Sequence, residues 1–353
     1  MPAARSWTKP LFAVIKIVIS IAILTLLFQK AQQGNQFSQI AQSDKNWTLL
    51  TLAFVFCIMA HLISFVRWRI LLNALDIPFT DVEAVRIGLI GSAFGLVSLG
   101  VVGGDSLRIV FAARHAKNKI AQVIGSVFTD RAIGMLTMFS FAAVAYLVVG
   151  TNLESTENPR ILKAIQFLCS FVSFVAIAGW IVVIAFLLSP RLLESKLVDK
   201  LKNLPKVGSI FKQLTDVVGL YRKQVPTLFF CVFLSFIVNL CFIGTVYCIG
   251  RGLNVAHPTM GQHCLIAPIS TCANAAPLPG GIGGMEPVLA YLYDAMSIGE
   301  DEAKHGIVVA FSFRFTLLAI AGFGAVAWFI NRKQIRTIVK EAEDAEEAGH
   351  DQS

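Results

Sequence analysis

The chain has 353 residues, 56% of them hydrophobic and only 15% charged, with a mean hydropathy of +0.69. Soluble domains carry about 25% charged residues, so this composition cannot build a water-exposed surface. The net charge of +8 is dispersed in short basic runs between apolar segments, which excludes a nucleic-acid-binding patch.

A membrane-crossing helix needs roughly 20 apolar residues to cover about 30 Å of hydrocarbon. The first such run, Leu11–Phe28, follows Arg5 and Lys9 as a signal peptide would. It exceeds a typical signal h-region and no small-residue cleavage site follows, so a retained first span is expected. Trp47–Val66 is the second span. Ile87–Val102 is apolar but runs at once into Gly103, Gly104 and an amphipathic stretch. Ile120–Val149, Ile165–Leu188 and Thr227–Gly250 follow as spans. Cys264–Pro277 and Met285–Ile298 are two short apolar pieces split by PLPGGIGG. Gly306–Ile330 is the last span, and Glu341–Asp351 an acidic, soluble tail.

Cytoplasmic loops collect Lys and Arg, and this fixes the expected topology. Pro190–Val225 holds eight basic residues against three acidic and belongs inside. So do Asp105–Lys119 and the Arg332, Lys333, Arg336 cluster, whereas Gly150–Ala164 and Ile298–His305 are neutral or acidic. Were Ile87–Val102 a full crossing, a basic segment would have to face outward. The expectation is therefore that Ile87–Lys117 dips in from the cytoplasm and returns, and that Cys264–Ile298 does the same from outside. Such hairpins survive only where protein or a wet cavity satisfies their backbone.

The expected fold is all-α: a polytopic membrane protein with six full spans plus two re-entrant helical hairpins, arranged as an inverted repeat. Residues 1–150 form the first repeat, 151–330 the second, and 331–353 a cytoplasmic tail. Landmarks support the pairing: Arg67 precedes Asp105 by 38 residues and Arg251 precedes Glu286 by 35. Arg131 follows Asp105 by 26 residues and Arg314 follows Glu286 by 28. Both termini are expected in the cytoplasm, with the protein in the cell inner membrane.

In GVVGGDSLR, two glycines precede helix-starting Asp105 and Ser106, so a half-helix is expected near Asp105. PLPGGIGGMEP repeats the pattern with Gly280, Gly281, Gly283 and Glu286, and Pro287 suits a first helical turn. Free backbone N–H groups at such starts attract anions. The plainer reading is that the glycines only permit tight turns. Arg131 lies eleven residues into its span, about 16 Å deep, and Arg314 eight residues into the last, about 12 Å deep. Arginine in hydrocarbon costs at least about 2.5 kcal/mol, so both should face a cavity or a partner. Asp105, Asp130 and Glu286 are the available counter-charges. Two roles are open: structural ion pairs that fix helix packing, or recognition of a phosphate, in which Arg108 of the same motif would share.

Arg67 and Arg69 flank Trp68 and read as an interfacial anchor, and His61 as a packed, hydrogen-bonded side chain. His257 and His263 lack a third partner at metal spacing, and the seven cysteines read as packing residues. HExxH, GxSxG, Walker and DxD motifs are absent, so neither an enzyme nor an ATP-driven pump is expected, and no cofactor or metal.

GGDSLR, the Asp130–Arg131 pair, PGGIGG with Glu286, Arg314, and RWRILL at Arg67–Leu72 together resemble the flippase-like membrane family, which includes the transmembrane region of lysylphosphatidylglycerol synthases. The likeness runs from the first span to the last. Where relatives usually show a glutamate before the mid-span arginine, this chain has Asp130. The resemblance implies a membrane region that moves or binds polar lipids, while lysyl transfer belongs to a separate soluble domain that this chain is expected to lack. The expected function is a lipid translocase or lipid-binding transporter for an anionic, phosphate-bearing or polyprenyl-type lipid. The headgroup would lie on Arg108, Arg131, Arg314, Gly103, Gly104, Gly280, Gly281 and Gly283, with Asp105, Asp130 and Glu286 balancing or gating those charges. The partner is then a membrane phospholipid or isoprenoid lipid. An accessory role beside an envelope biosynthetic enzyme, self-association as a homo-oligomer, and transport of a small anion are the alternatives.

Overall fold

The structure, a computed structural model, describes residues 44–97, 101–116, 119–149, 159–188, 219–275, 283–297 and 305–330, together with a few isolated positions. Its described residues form α-helices and short 3₁₀ turns: α1 Trp47–Asn73, α2 Asp81–Val97, α3 Val101–His115, α4 Ile120–Val149, α5 Pro159–Leu188, α6 Val225–Gly252, α7 Met260–Cys272, α8 Met285–Met296 and α9 Gly306–Ile330. Among the described residues, five helical segments are long and apolar enough to cross a membrane, those of α1, α4, α5, α6 and α9. The expected first span, Leu11–Phe28, lies almost wholly outside the described residues. The chain is a multi-pass membrane protein. On α5, Phe167, Phe171, Phe174, Ile177 and Ile181 form one exposed apolar face at helical spacing, suited to lipid rather than water.

The remaining helices are short. At 1.5 Å per residue, α2 and α3, with 17 and 15 residues, reach about 25 and 22 Å. With 13 and 12 residues, α7 and α8 reach about 20 and 18 Å, all less than a hydrocarbon core. The first pair begins earlier than its apolar run suggests, at Asp81 rather than Ile87. Thr80 and Glu83 supply the reason: the Thr80 backbone N–H and hydroxyl donate to Glu83 Oε2, and Glu83 N–H donates to Thr80 Oγ1. This capping box starts the helix six residues before the hydrophobic stretch. Thr259 and Gln262 make the same box at the start of α7.

The paired long helices α1 and α6 run antiparallel. Asn46 N–H, before α1, donates to Gly252 O at the end of α6 (2.8 Å). At the opposite end, Tyr221 Oη, before α6, donates to Leu71 O near the end of α1 (3.0 Å). Each then stops in the same way. Asp76 after α1 and Asn254 after α6 take left-handed backbone (φ 56° and 53°), and in each case a capping-box helix follows. Asp and Asn tolerate this region because their side chains are short and polar.

Both short-helix pairs return to the end from which they start. Lys119 Nζ, between α3 and α4, donates to Leu75 O and Asp76 O at the foot of α2 (3.2 and 3.0 Å). Ser297 Oγ, following α8, donates to Ala256 O at the foot of α7 (3.5 Å). Since α1 and α6 are antiparallel, the two hairpins are rooted at opposite ends of the bundle. The packing is paired as well: α2 lies on α9 as α7 lies on α4, and α2 on α3 as α7 on α8. One apolar core surrounds the first hairpin, built on Trp68, Leu71, Ile87 and Phe111. Another surrounds the second, built on Ile249, Ile266, Leu289 and Tyr293.

Close backbone contact holds the first hairpin together and to α9. A Cβ on Gly104 would sit 2.5 Å from Gly91 O, and one on Gly324 would collide with Leu89 O. These glycines are where a helix surface must be flat.

Candidate functional site

Within the first half, α1, α3 and α4 bring three arginines and two carboxylates together. Arg131, on α4, donates from Nε and Nη2 to the two oxygens of Asp105 on α3 (2.8 and 2.5 Å). This is the bidentate pairing that a planar guanidinium favours. Arg108 lies one helical turn beyond Asp105, with Nη1 3.5 Å from Asp105 Oδ1. Its guanidinium carbon is 5.3 Å from the centre of the Phe65 ring and 5.7 Å from that of Trp68. Phe65 reaches that position because Gly88 has no side chain; a Cβ there would strike the ring. Trp68 is fixed by its Nε1–H bond to Ser126 Oγ (3.3 Å).

Asp130 does not pair with its neighbour Arg131. Its Oδ1 accepts from Arg67 Nε (2.7 Å), while Arg67 Nη1 donates to Ser235 Oγ (2.5 Å) and Nη2 to Asp130 O (3.3 Å). Both residues are buried. The interfacial-anchor reading therefore fails for Arg67, whereas Arg69 pairs with the half-exposed Asp81 (3.0 Å). A helix turns about 100° per residue, so adjacent Asp130 and Arg131 must point to different neighbours, α1 and α3. A polar ladder continues from Ser235 to Asn239, whose Nδ2 donates to Ser235 O and to Thr137 Oγ1 (2.9 and 3.1 Å). Ser235 and Asn239, one turn apart on an apolar helix, are the sequence signal that could have revealed Arg67 as buried.

In the second half, Arg314 Nε donates to Glu286 Oε1 and Nη2 reaches Asn274 Oδ1 (3.4 Å). Glu286 Oε2 accepts the Gly283 N–H (2.9 Å), so this carboxylate occupies the start of α8 itself. Gly283 has φ 88°, a backbone region that glycine alone enters freely. Pro287 falls in the first turn of α8, as expected. Gly280 and Gly281 lie outside the described residues.

Gly103 and Gly104 do not precede a helix that starts near Asp105. The helix starts at Val101, and both glycines are buried in its first turn. Apolar Val101 and Val102 extend α3 because the Gly104–Gly91 contact seats that turn against α2. Nor are Arg67 and Arg251 equivalent landmarks: Arg67 lies nine residues before Asp76, Arg251 three before Asn254. Arg251 faces His257 and Tyr247 instead. His61 is held as expected, with Nδ1 2.8 Å from Cys57 O.

Fold and site together define an all-α, multi-pass membrane protein whose apolar bundle encloses arginine–carboxylate clusters against two short-helix hairpins. The chain belongs to the family described as the lysylphosphatidylglycerol synthase TM region, whose model matches residues 13–322. Membership makes it a membrane protein associated with lipid handling. No curated protein and no solved structure matches the chain.

Proposed function

We propose that this protein is a non-enzymatic lipid translocase or lipid-binding transporter for a phosphate-bearing lipid, anionic or polyprenyl-linked, and that its two hairpins are re-entrant, one in each half of an inverted repeat. The single observation that carries this reading is the placement of Arg108, Arg131 and Arg314 inside an apolar bundle, beside hairpins rooted at its opposite ends. Antiparallel α1 and α6, matching left-handed stops, matching capping boxes and paired packing all support the repeat. The positive-inside rule supports a cytoplasmic orientation for the end that carries Arg69, Lys119, Arg222 and Lys223, in keeping with a cell inner membrane location and both termini inside as part of this proposal.

Arginines deep in a bundle are costly and persist where they meet a charged ligand or a matched carboxylate. Here the lipid phosphate would lie on the guanidinium groups, acyl or prenyl chains would remain in the bilayer, and Asp105 and Glu286 would release or retake their arginines as the headgroup moves. The test is headgroup accessibility in liposomes containing wild-type protein, Arg131→Ala or Arg314→Ala. Translocation by the wild type and its loss in both variants is the expected result; identical rates and identical lipid binding in all three would refute the reading.

A second reading, a non-transporting partner that presents lipid to an envelope biosynthetic enzyme, is favoured by one feature: Arg131 and Arg314 already have carboxylate partners and need no ligand to be stable in place. Co-purification of a stoichiometric enzyme, with no translocation in its absence, would select it.

A further inference from the structure

We infer that the lipid recognised at the α1–α3–α4 cluster carries one net negative charge at its headgroup, and that Arg108 is the residue that reads this charge. This rests on the lipid-site reading above and narrows it to a monoanionic phosphate headgroup, against zwitterionic and cationic ones.

The argument is a charge count. Among the described residues, Arg67, Arg108 and Arg131 stand against Asp105 and Asp130, three positive charges to two negative. Arg67 is matched by Asp130 at 2.7 Å. Arg131 is matched by both oxygens of Asp105. Arg108 is left with a 3.5 Å approach to Asp105 Oδ1, an oxygen that Arg131 Nη2 already holds at 2.5 Å. Its Nε is buried and has no hydrogen-bond partner, and Phe65 and Trp68 lie beside the guanidinium. The aromatic faces attract a cation but do not neutralise it. Guanidinium keeps its proton in proteins, so the surplus charge is permanent.

Among the described residues, the corresponding cluster of the second half has no such surplus. Glu286 matches Arg314, and the position one turn beyond Glu286, corresponding to Arg108 beyond Asp105, is the buried apolar Leu289. Of the two clusters, as far as the described residues go, the first therefore carries the extra cation, and an anion approaching it has an opening. The Arg131 side chain is 40% uncovered by protein, whereas that of Arg108 is only 8% uncovered.

A phosphate with one net negative charge brings the cluster to neutrality and supplies acceptors to Arg108. A zwitterionic headgroup brings no net charge, and its ammonium is repelled by the surplus. An aminoacylated headgroup with net positive charge is opposed most strongly. Phosphodiesters of glycerolipids and phosphodiesters of prenyl lipids share the required single charge, and mass spectrometry tells them apart.

The experiment is gentle purification of the full chain from a membrane of mixed lipids, followed by mass spectrometry of the retained lipids, for wild type, Arg108→Lys and Arg108→Gln. Size-exclusion profiles establish that each variant is folded. The expected result is enrichment of anionic lipid above the bulk membrane fraction in wild type and Arg108→Lys, and a fall to the bulk fraction in Arg108→Gln. Enrichment that persists in folded Arg108→Gln, or wild-type protein that retains zwitterionic or cationic lipid preferentially, overturns the assignment while leaving a lipid site standing. Wild-type protein that retains no lipid overturns both. Should Arg108→Gln not fold, wild-type protein exchanged into vesicles of phosphatidylglycerol or phosphatidylethanolamine provides the readout: equal recovery of the two lipids overturns the assignment.

Discussion

Replacing Asp130 by Asn keeps the shape of the side chain and one oxygen acceptor but removes the charge opposite Arg67. In the folded bundle Arg67 is 4% exposed and Asp130 1% exposed, so solvent cannot replace what is lost. Arg67 would keep its bonds to Ser235 Oγ and Asp130 O, both neutral acceptors. Breaking a buried pair by removing one partner costs about 3–5 kcal/mol. The retained bonds place the expected loss near about 3 kcal/mol, roughly a hundredfold in the folding equilibrium. Arg69→Ala is the internal control, because its partner Asp81 is 57% exposed at the side chain, and exposed pairs contribute about 1 kcal/mol or less. The double variant Arg67→Met/Asp130→Leu removes both charges and should return to within about 1 kcal/mol of wild type, since apolar pairs of similar volume replace buried ion pairs well. The assay is the midpoint of SDS-induced or thermal unfolding in detergent, analysed as a double-mutant cycle. A loss for Asp130→Asn no larger than that for Arg69→Ala would refute the reasoning, as would a double variant as unstable as the sum of the singles.

Gly104→Ala would set a Cβ 2.5 Å from the rigid Gly91 carbonyl oxygen; a loss of about 1–3 kcal/mol is expected by the same unfolding assay, from overpacking between α2 and α3. Glu286→Gln would leave Arg314 without its carboxylate while preserving an acceptor for Gly283 N–H; lowered stability, of the order of about 3 kcal/mol, and altered lipid retention are expected together. Thr259→Ala would remove the capping box of α7, and a loss of about 0.5–2 kcal/mol in the unfolding midpoint is expected. In a background without native cysteines, Lys223→Cys and Met260→Cys should label with a membrane-impermeant thiol reagent from opposite sides of intact vesicles, because they lie at opposite ends of antiparallel α1 and α6.

Much of the architecture follows from chain chemistry alone. Long apolar runs become helices wherever water cannot satisfy the backbone, which is why the described spans α4 and α9 begin and end where hydropathy places them. The pairings of Arg131 with Asp105 and of Arg314 with Glu286 were within reach too, since guanidinium within an apolar span needs a carboxylate and few were available. What depended on tertiary structure was direction and closeness. Sequence order puts Asp130 beside Arg131, yet the helical turn aims Asp130 at Arg67, 63 residues away. Hydropathy starts the first hairpin at Ile87, yet a local Thr80–Glu83 box starts it at Asp81. Gly104 looked like part of a turn and is a contact surface, because only the approach of α2 reveals that no Cβ fits there. Composition determines that this chain lives in lipid and where charge is expensive; the packing of one helix against another decides which charge answers which, and leaves Arg108 with the smallest share.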